Sequence, residues 1–237
     1  MYRYDLHVHT KEVSPCGKLT VEETVDLYKA KGYDGFWLTN HFHREFFERT
    51  KGLTWEQRVE AFFLPWREGK KYAGEDFFIG QGMELRFLTD PNDYLLFGIT
   101  EELLLAEGEE WLSMNLERFF EKYHERLLII QAHPNRQGSS RPADPRFLHG
   151  MEAHNSNPRH DNGNTATCSL ICAHPRLIPT AGSDSHRRED AGITGILTGE
   201  KLTCDEELLG VLEDRRYEIQ MPSTGSPLTR EDIISTI

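Results

Sequence analysis

The feature that most restricts the fold of this chain is a repeated pairing. Short apolar runs alternate with longer amphipathic segments, and run after run closes on a histidine, glutamate or aspartate. The strand-like runs are YDLHVH, DGFWLTN, FFIGQGMEL, DYLLFGI, RLLIIQAH, GMEAHNS, LIPTAGS and ITGILTG. Between them, TVEETVDLYKAKG opens with Thr20 and Glu23 at capping-box spacing and ends on Gly32, which predicts a helix. TWEQRVEAFFLPWREG repeats that start with Thr54 and Gln57, and Pro65 is expected to kink or end it. EEWLSMNLERFFEKYHERL carries apolar residues near helical spacing, and shorter helices are expected at 164–174 and 205–213. Strands alternating with helices predict an α/β fold with a mainly parallel sheet. Seven or eight such units within 237 residues favour a barrel over an open sheet, built as a single domain over 1–237. Residues 137–149, rich in Ser, Arg and Pro, read as a loop at the barrel mouth.

The first strand contains DLHVHT. Residues two apart on a strand share a face, so Asp5, His7 and His9 are expected on one side and Leu6 and Val8 on the other. Later strands end in the same kind of residue. GFWLTNH ends at His41, IGQGME at Glu84, RLLIIQAH at His133, and LIPTAGSDSH at Asp184 and His186. In a parallel barrel the C-terminal strand ends meet on one rim, so five imidazoles and two carboxylates converge there. One histidine at a strand end is ordinarily a surface or hydrogen-bonded residue. A converging set is costly to desolvate without a counter-ion, and bound divalent cations remove that cost. Mixed imidazole and carboxylate ligation suits zinc, manganese or iron better than calcium or magnesium. A ligand supply larger than four implies more than one ion.

Composition narrows the partners. The net charge of −12 opposes long nucleic acids, which are held by basic patches, but leaves room for a small phosphorylated substrate once metal ions reverse the local sign. No apolar run is long enough for a membrane span, and no signal peptide is evident. The four cysteines make no spaced disulfide framework and fit a reducing cytoplasm, where the protein is expected.

DLHVHT, LTNH, GME, AHP and GSDSH, in this order, resemble the motif series of the PHP (polymerase and histidinol phosphatase) superfamily, and the resemblance runs to about residue 220. It implies a distorted (βα)7 TIM-like barrel with two or three divalent ions and hydrolysis of phosphoester bonds. It also implies His7, His9, His41, Glu84, His133, Asp184 and His186 as metal ligands, with Glu84 bridging two ions. Three positions depart from the pattern. After the first motif, where the family usually has an Asp or His, KEVSPCG offers Glu12 or Cys16, and Cys16 before Gly17 is the favoured ligand. At DYLLFGI, Asp93 and Tyr94 stand where the family usually has a histidine, which leaves two or three ions open. Asn40 replaces the usual Asp before His41 and is expected to act through hydrogen bonds rather than ligation.

The chemistry implied is metal-assisted hydrolysis by an activated water, with Asp184 or a site histidine as proton acceptor. Arg136, Arg159 and Arg187 are the candidates for substrate phosphate, since a guanidinium offers paired donors. His43 and His154 lie at strand ends with no assigned role, and His124, His149, His160 and His174 read as ordinary. Cys168 and Cys172, one helical turn apart, read as packing residues. Two other functions stay open. One is an amidohydrolase-like hydrolase of a non-phosphate substrate, against which no middle strand ends in a lysine suited to a carbamylated bridge. The other is a catalytically degenerate domain that regulates or binds a partner.

Overall fold

The computed structural model describes residues 1–222, so the end of the expected 1–237 domain lies outside the described residues. In chain order its first half comprises β1 (Tyr2–Val8), α1 (Val21–Ala30), β2 (Gly35–Leu38), β3 (His41–Phe42), α2 (Arg44–Arg49), α3 (Trp55–Ala73), β4 (Phe78–Leu85) and β5 (Tyr94–Phe97). There follow α4 (Glu101–Glu107), α5 (Leu116–Tyr123), β6 (Leu128–Gln131), β7 (Gly150–Asn155), α6 (Asn164–Ala173), β8 (Ile178–Gly182), β9 (Gly195–Thr198), α7 (Asp205–Glu213) and β10 (Tyr217–Gln220).

The strands form a nearly closed, barrel-shaped mixed sheet. β1, β2, β4, β5, β6, β7 and β8 follow one another around it, with β3 continuing the line of β2 along β4. Closure comes just after β8: Val8 bridges Ser185 in parallel, with Ser185 N donating to the His7 carbonyl and His9 N to that of Ser185. β9 pairs antiparallel with the first half of β1, and β10 adds to β9. The fold is thus α/β, a distorted TIM-like barrel, as expected. One stave departs from the mainly parallel pattern. β5 runs antiparallel to both β4 and β6, because only the short segment 86–93 joins it to β4. A parallel return needs a crossover of about a dozen residues or more.

Local signals explain most of the helices. Thr20 and Glu23, and Thr54 and Gln57, make reciprocal capping boxes at the starts of α1 and α3. α3 does not end at Pro65 but continues to Ala73. Proline removes one backbone donor, and burial of Val59, Phe62, Phe63 and Ala73 on either side keeps the helix whole. The segment expected as one helix from Glu109 splits in two. A 3-10 turn over Gly108–Ser113 precedes α5, which Asn115 caps by accepting from Arg118 N at 2.9 Å. Asn at an N-cap outcompetes helix continuation because its side chain satisfies an orphan donor. α2, α4, β3 and β10 were not visible as separate elements in the pattern.

The core is layered. Tyr4 and Leu6 of β1 meet Leu95, Phe97, Leu128 and Ile130 of β5 and β6. Those strands are not neighbours, so their side chains meet through the barrel interior. Leu208, Val211 and Leu212 of α7 complete this apolar plug at the N-terminal strand ends. A second cluster seats Val21, Val25 and Tyr28 of α1 against Val8, Phe36 and Ile79. The largest cluster lies between β3–β8 and the helices that include α3 and α5. Cys168 and Cys172 of α6 pack against it, in keeping with a packing role. The interior is therefore apolar below, and the histidines and acids of the strand ends gather at the opposite rim.

Candidate metal centre

His7, His9, His41, Glu84, His133, Asp184 and His186 all reach that rim. Glu84, near the end of β4, is the hub. Its Oε1 lies 3.3 Å from His7 Nε2 and 3.2 Å from His133 Nε2, and its Oε2 lies 2.9 Å from His41 Nε2 and 3.6 Å from His9 Nε2. Asp184 Oδ1 adds contacts of 3.6 Å to His7 Nε2 and 3.3 Å to His9 Nε2. The register of the sheet sets this geometry, since His41 pairs directly with Glu84 across β3 and β4. Backbone conformation sets the rest. His133 and Asp184, at the ends of β6 and β8, have φ of 29° and 50°. Left-handed backbone at non-glycine residues costs on the order of 1–3 kcal/mol each and gathers at functional sites.

The opposite nitrogen of each ring is held from behind. His7 Nδ1 donates to Glu152 Oε1 at 2.9 Å, and His9 Nδ1 lies 3.2 Å from Ser14 Oγ. His133 Nδ1 is 3.3 Å from Ser140 Oγ, His186 Nδ1 donates to the Asp184 carbonyl at 2.9 Å, and His41 Nδ1 is 3.7 Å from Cys16 Sγ. Partners of this kind fix the tautomer and orient a ligating ring. Asn40 belongs to this outer layer. Its Oδ1 accepts from Ser14 Oγ at 2.8 Å and Thr10 N at 2.9 Å, so it steadies His9 through Ser14. Glu152, which also accepts from His133 N at 2.9 Å, was missed because a glutamate inside a strand carries no motif signal.

Electrostatics are consistent with a cation-binding site. Burial alone would raise the pKa of Glu84, but His7, His133 and His41 hold it well below the usual carboxylate range. Asp184 is likewise held low, against burial, by His7, His9 and Arg136. Burial, reinforced by His186 and His41, pushes His9 well below the ordinary histidine value. Meanwhile His7 Nε2 and His9 Nε2 are buried without a hydrogen-bond partner. Unpaired buried nitrogens beside ionised carboxylates are a poor arrangement for protein alone and a good one around divalent ions. Four overlapping groups have ligand atoms within 4.8 Å of one another: His7/His9/Asp184, His7/Glu84/His133, His9/His41/His186 and His41/His43/Glu84. The residues present therefore fit divalent ions.

The remaining candidates separate clearly. Cys16 is exposed at the cleft mouth and stands outside those four groups. Although partial burial of the thiol works upward, contacts with His186 and His41 bring it down to about 6. Glu12 faces elsewhere, accepting from Val21 N at the start of α1 at 2.9 Å. Asp93 accepts a two-pronged contact from Arg86, at 2.7 and 2.6 Å, and lies 3.2 Å from His43 Nε2. Asp5 corrects the first-strand expectation. A register irregularity between Asp5 and Val8 breaks the two-residue period, and Asp5 turns to Tyr28 and Ser183 instead of joining His7 and His9.

A cleft of about 310 Å³ opens over the cluster. Arg86, Arg136, Arg159 and Arg187 line it, along with Asn157 and His160. Arg136 is largely committed, pairing with Asp184 Oδ2 and donating to Asn162 Oδ1 at 2.8 Å. Arg159 gives one arm to Asp190 at 2.6 Å. Arg187 is exposed, and among the described residues its guanidinium pairs with no carboxylate. His160, read from sequence as ordinary, is on the cleft wall, whereas His154 is absent from it and contacts Asn164.

No protein-family model matches the chain, and no curated protein matches it. Solved structures do. A two-domain protein from Bacteroides vulgatus, containing a "predicted PHP-like metal-dependent phosphoesterase", superposes with TM-score 0.66 at 17% identity, over 99% of this chain and 68% of that one. PsfC from Pseudomonas syringae gives 0.67 at 17% identity, over 100% and 97% of the two chains. A candidate metal-dependent phosphoesterase from Bifidobacterium adolescentis gives 0.52 at 16%, over 89% and 96%. At such identities the likeness lies in the architecture alone, and this chain has the barrel fold seen in the PHP-like Bacteroides vulgatus protein.

Proposed function

We propose that this protein is a metal-dependent phosphoesterase acting on a small phosphomonoester or nucleotide-type phosphoester. The observation that carries the reading is the pairing of two layers. Imidazole Nε2 atoms converge on Glu84 and Asp184, and arginines line the cleft directly above them. His7, His9, His41, Glu84, His133, Asp184 and His186 would hold two or three divalent ions of the zinc, manganese or iron type, with Cys16 at the margin of the set. The chemistry such ions supply is acidification of a water and neutralisation of charge on phosphoryl oxygens.

The chain's own residues do the rest. Arg187, which pairs with no carboxylate among the described residues, is the first contact for the substrate phosphate, and Arg159 offers the arm that Asp190 leaves free. Arg136 acts mainly by holding Asp184 ionised and in place. That state makes Asp184 a better ligand than proton acceptor, and His160 on the cleft wall is the better-placed group to pass a proton to a leaving oxygen. Among the described residues no lysine lines the cleft, which weighs against an amidohydrolase-type bridge.

The test is hydrolysis of p-nitrophenyl phosphate and bis-p-nitrophenyl phosphate by protein of known metal content, loaded with zinc, manganese or iron. Turnover that vanishes in His9→Ala supports the reading. Metal-loaded protein that cleaves neither ester would move the weight to another hydrolysis or to a regulatory domain.

A further inference from the structure

Three buried imidazole nitrogens share one geometry at this rim. His7 Nε2, His9 Nε2 and His43 Nε2 each lie between 3.2 and 3.6 Å from a carboxylate oxygen, yet none is aligned for a hydrogen bond. Two ligands on one ion at bond lengths of about 2.1 Å sit roughly 3.0–3.4 Å apart, with their lone pairs aimed at a common point between them. A misaligned nitrogen and oxygen at that separation are therefore better placed to share a cation than a proton. The first two belong to the ligand series already derived. The third, His43, belongs to no motif.

Local structure gives His43 no capping task. It occupies the N-cap position of α2 in extended conformation, but its side chain makes no capping hydrogen bond. It is 3% exposed, and its Nε2 is buried without a hydrogen-bond partner. Phe42 between His41 and His43 points into the apolar core, which leaves the two histidines on the same side of the chain. Their rings lie face to face, 4.2 Å between centroids with 14° between planes, so one ring must swing out of the stack for both nitrogens to meet one ion. Ligand atoms of His41, His43 and Glu84 lie within 4.8 Å of one another. Asp93 stands 3.2 Å from His43, with both oxygens held by Arg86.

We propose that His43 is a metal ligand, forming with His41 and Glu84 a cation position on the Arg86 side of the cleft, with Asp93 as its neighbouring carboxylate. The position takes a borderline divalent cation, given two imidazoles and one carboxylate. It rests on the metal-centre reading above but not on the identity of the substrate. It shares His41 and Glu84 with other groups but no residue with the His7/His9/Asp184 group, so losing His43 removes one ion and leaves that group intact.

The experiment measures zinc per chain by elemental mass spectrometry, and affinity by chelator competition, on the full chain. It compares wild type, His43→Ala, His43→Gln and the control His154→Ala, with circular dichroism to verify folding. The expected result is about one ion fewer per chain, or at least tenfold weaker binding of one ion, in both His43 variants and not in the control. If His43→Ala does not fold, His43→Gln decides, since it keeps most of the volume. Unchanged stoichiometry and affinity in a folded variant overturn the assignment while leaving the phosphoesterase reading intact. Wild type that binds no zinc overturns this assignment. Protein that loses an ion in the His43 variants yet cleaves no phosphoester sustains this assignment and defeats the proposed function.

Discussion

At the scale of single residues, the site depends on groups that touch neither substrate nor ion. Glu152 is buried at 1% exposure and accepts from His7, from His133 N and from Asn155 Nδ2. Glu152→Gln keeps the volume but cannot take both roles of the carboxylate, since its amide nitrogen must donate. Metal affinity is expected to fall about 10- to 100-fold, the usual effect of losing such an outer partner, and competition with a chromogenic chelator reads it directly. The two best-placed arginines should differ in kind. Arg187→Ala removes the proposed phosphate contact, so KM should rise roughly tenfold, equivalent to about 1.4 kcal/mol, with metal content unchanged. Arg136→Ala removes the partner of Asp184 and should lower metal content as well. Equal effects of both on KM alone would refute that division of labour.

At the scale of elements, the strand ends carry the chemistry because adjoining backbones approach closely there. Gly182 ends β8 at the seam where β8 meets β1. A Cβ on it would press against His7, with the His7 backbone nitrogen at 2.9 Å and Glu152 Oε1 at 3.1 Å. Gly182→Ala therefore either opens the seam or pushes His7 off its carboxylate partner. Overpacking of this kind costs about 1–3 kcal/mol, visible as a lower urea midpoint. The displaced ring should weaken metal retention in the same protein. An alanine variant with wild-type midpoint and metal content would mean that the seam has slack which these distances do not suggest.

For the molecule as a whole, the barrel separates an apolar end from a polar rim, and one acid sits at the wrong end for its charge. Asp205 begins α7 beneath the barrel, where burial raises its pKa to about 6 even though Trp37 Nε1 donates to it at 2.5 Å. An acid raised in the folded state binds its proton more tightly there than in the unfolded chain. Its contribution to stability is therefore complete below about pH 3.8 and is lost as pH rises through about 6. Asp205→Asn abolishes this component. Plotted as wild type minus variant, stability should decline between those two pH values and be flat above them, in urea unfolding repeated across that range. Taking the difference cancels the titration of the rim histidines, which both proteins share.

Much of this was legible in the sequence because it is local or periodic. Capping boxes at Thr20 and Thr54, strand-like runs, and histidines and acids at their ends depend on neighbours within a few positions, so order along the chain was enough to expect an α/β barrel with a converging rim. Other features depend on what folding brings from far away. Glu152 meets His7 across 145 positions, and Arg136 meets Asp184 across 48. The bulge that turns Asp5 away from the site arises from pairing with β2 and closure against Ser185, not from anything in DLHVHT. Sequence alone determined which histidines and acids stand at the strand ends. Tertiary structure alone decided which of them face one another, which cleft arginine pairs with which carboxylate, and which distant side chain steadies each ring, because hydrogen bonds and ion pairs require distances and angles that the order of residues does not contain.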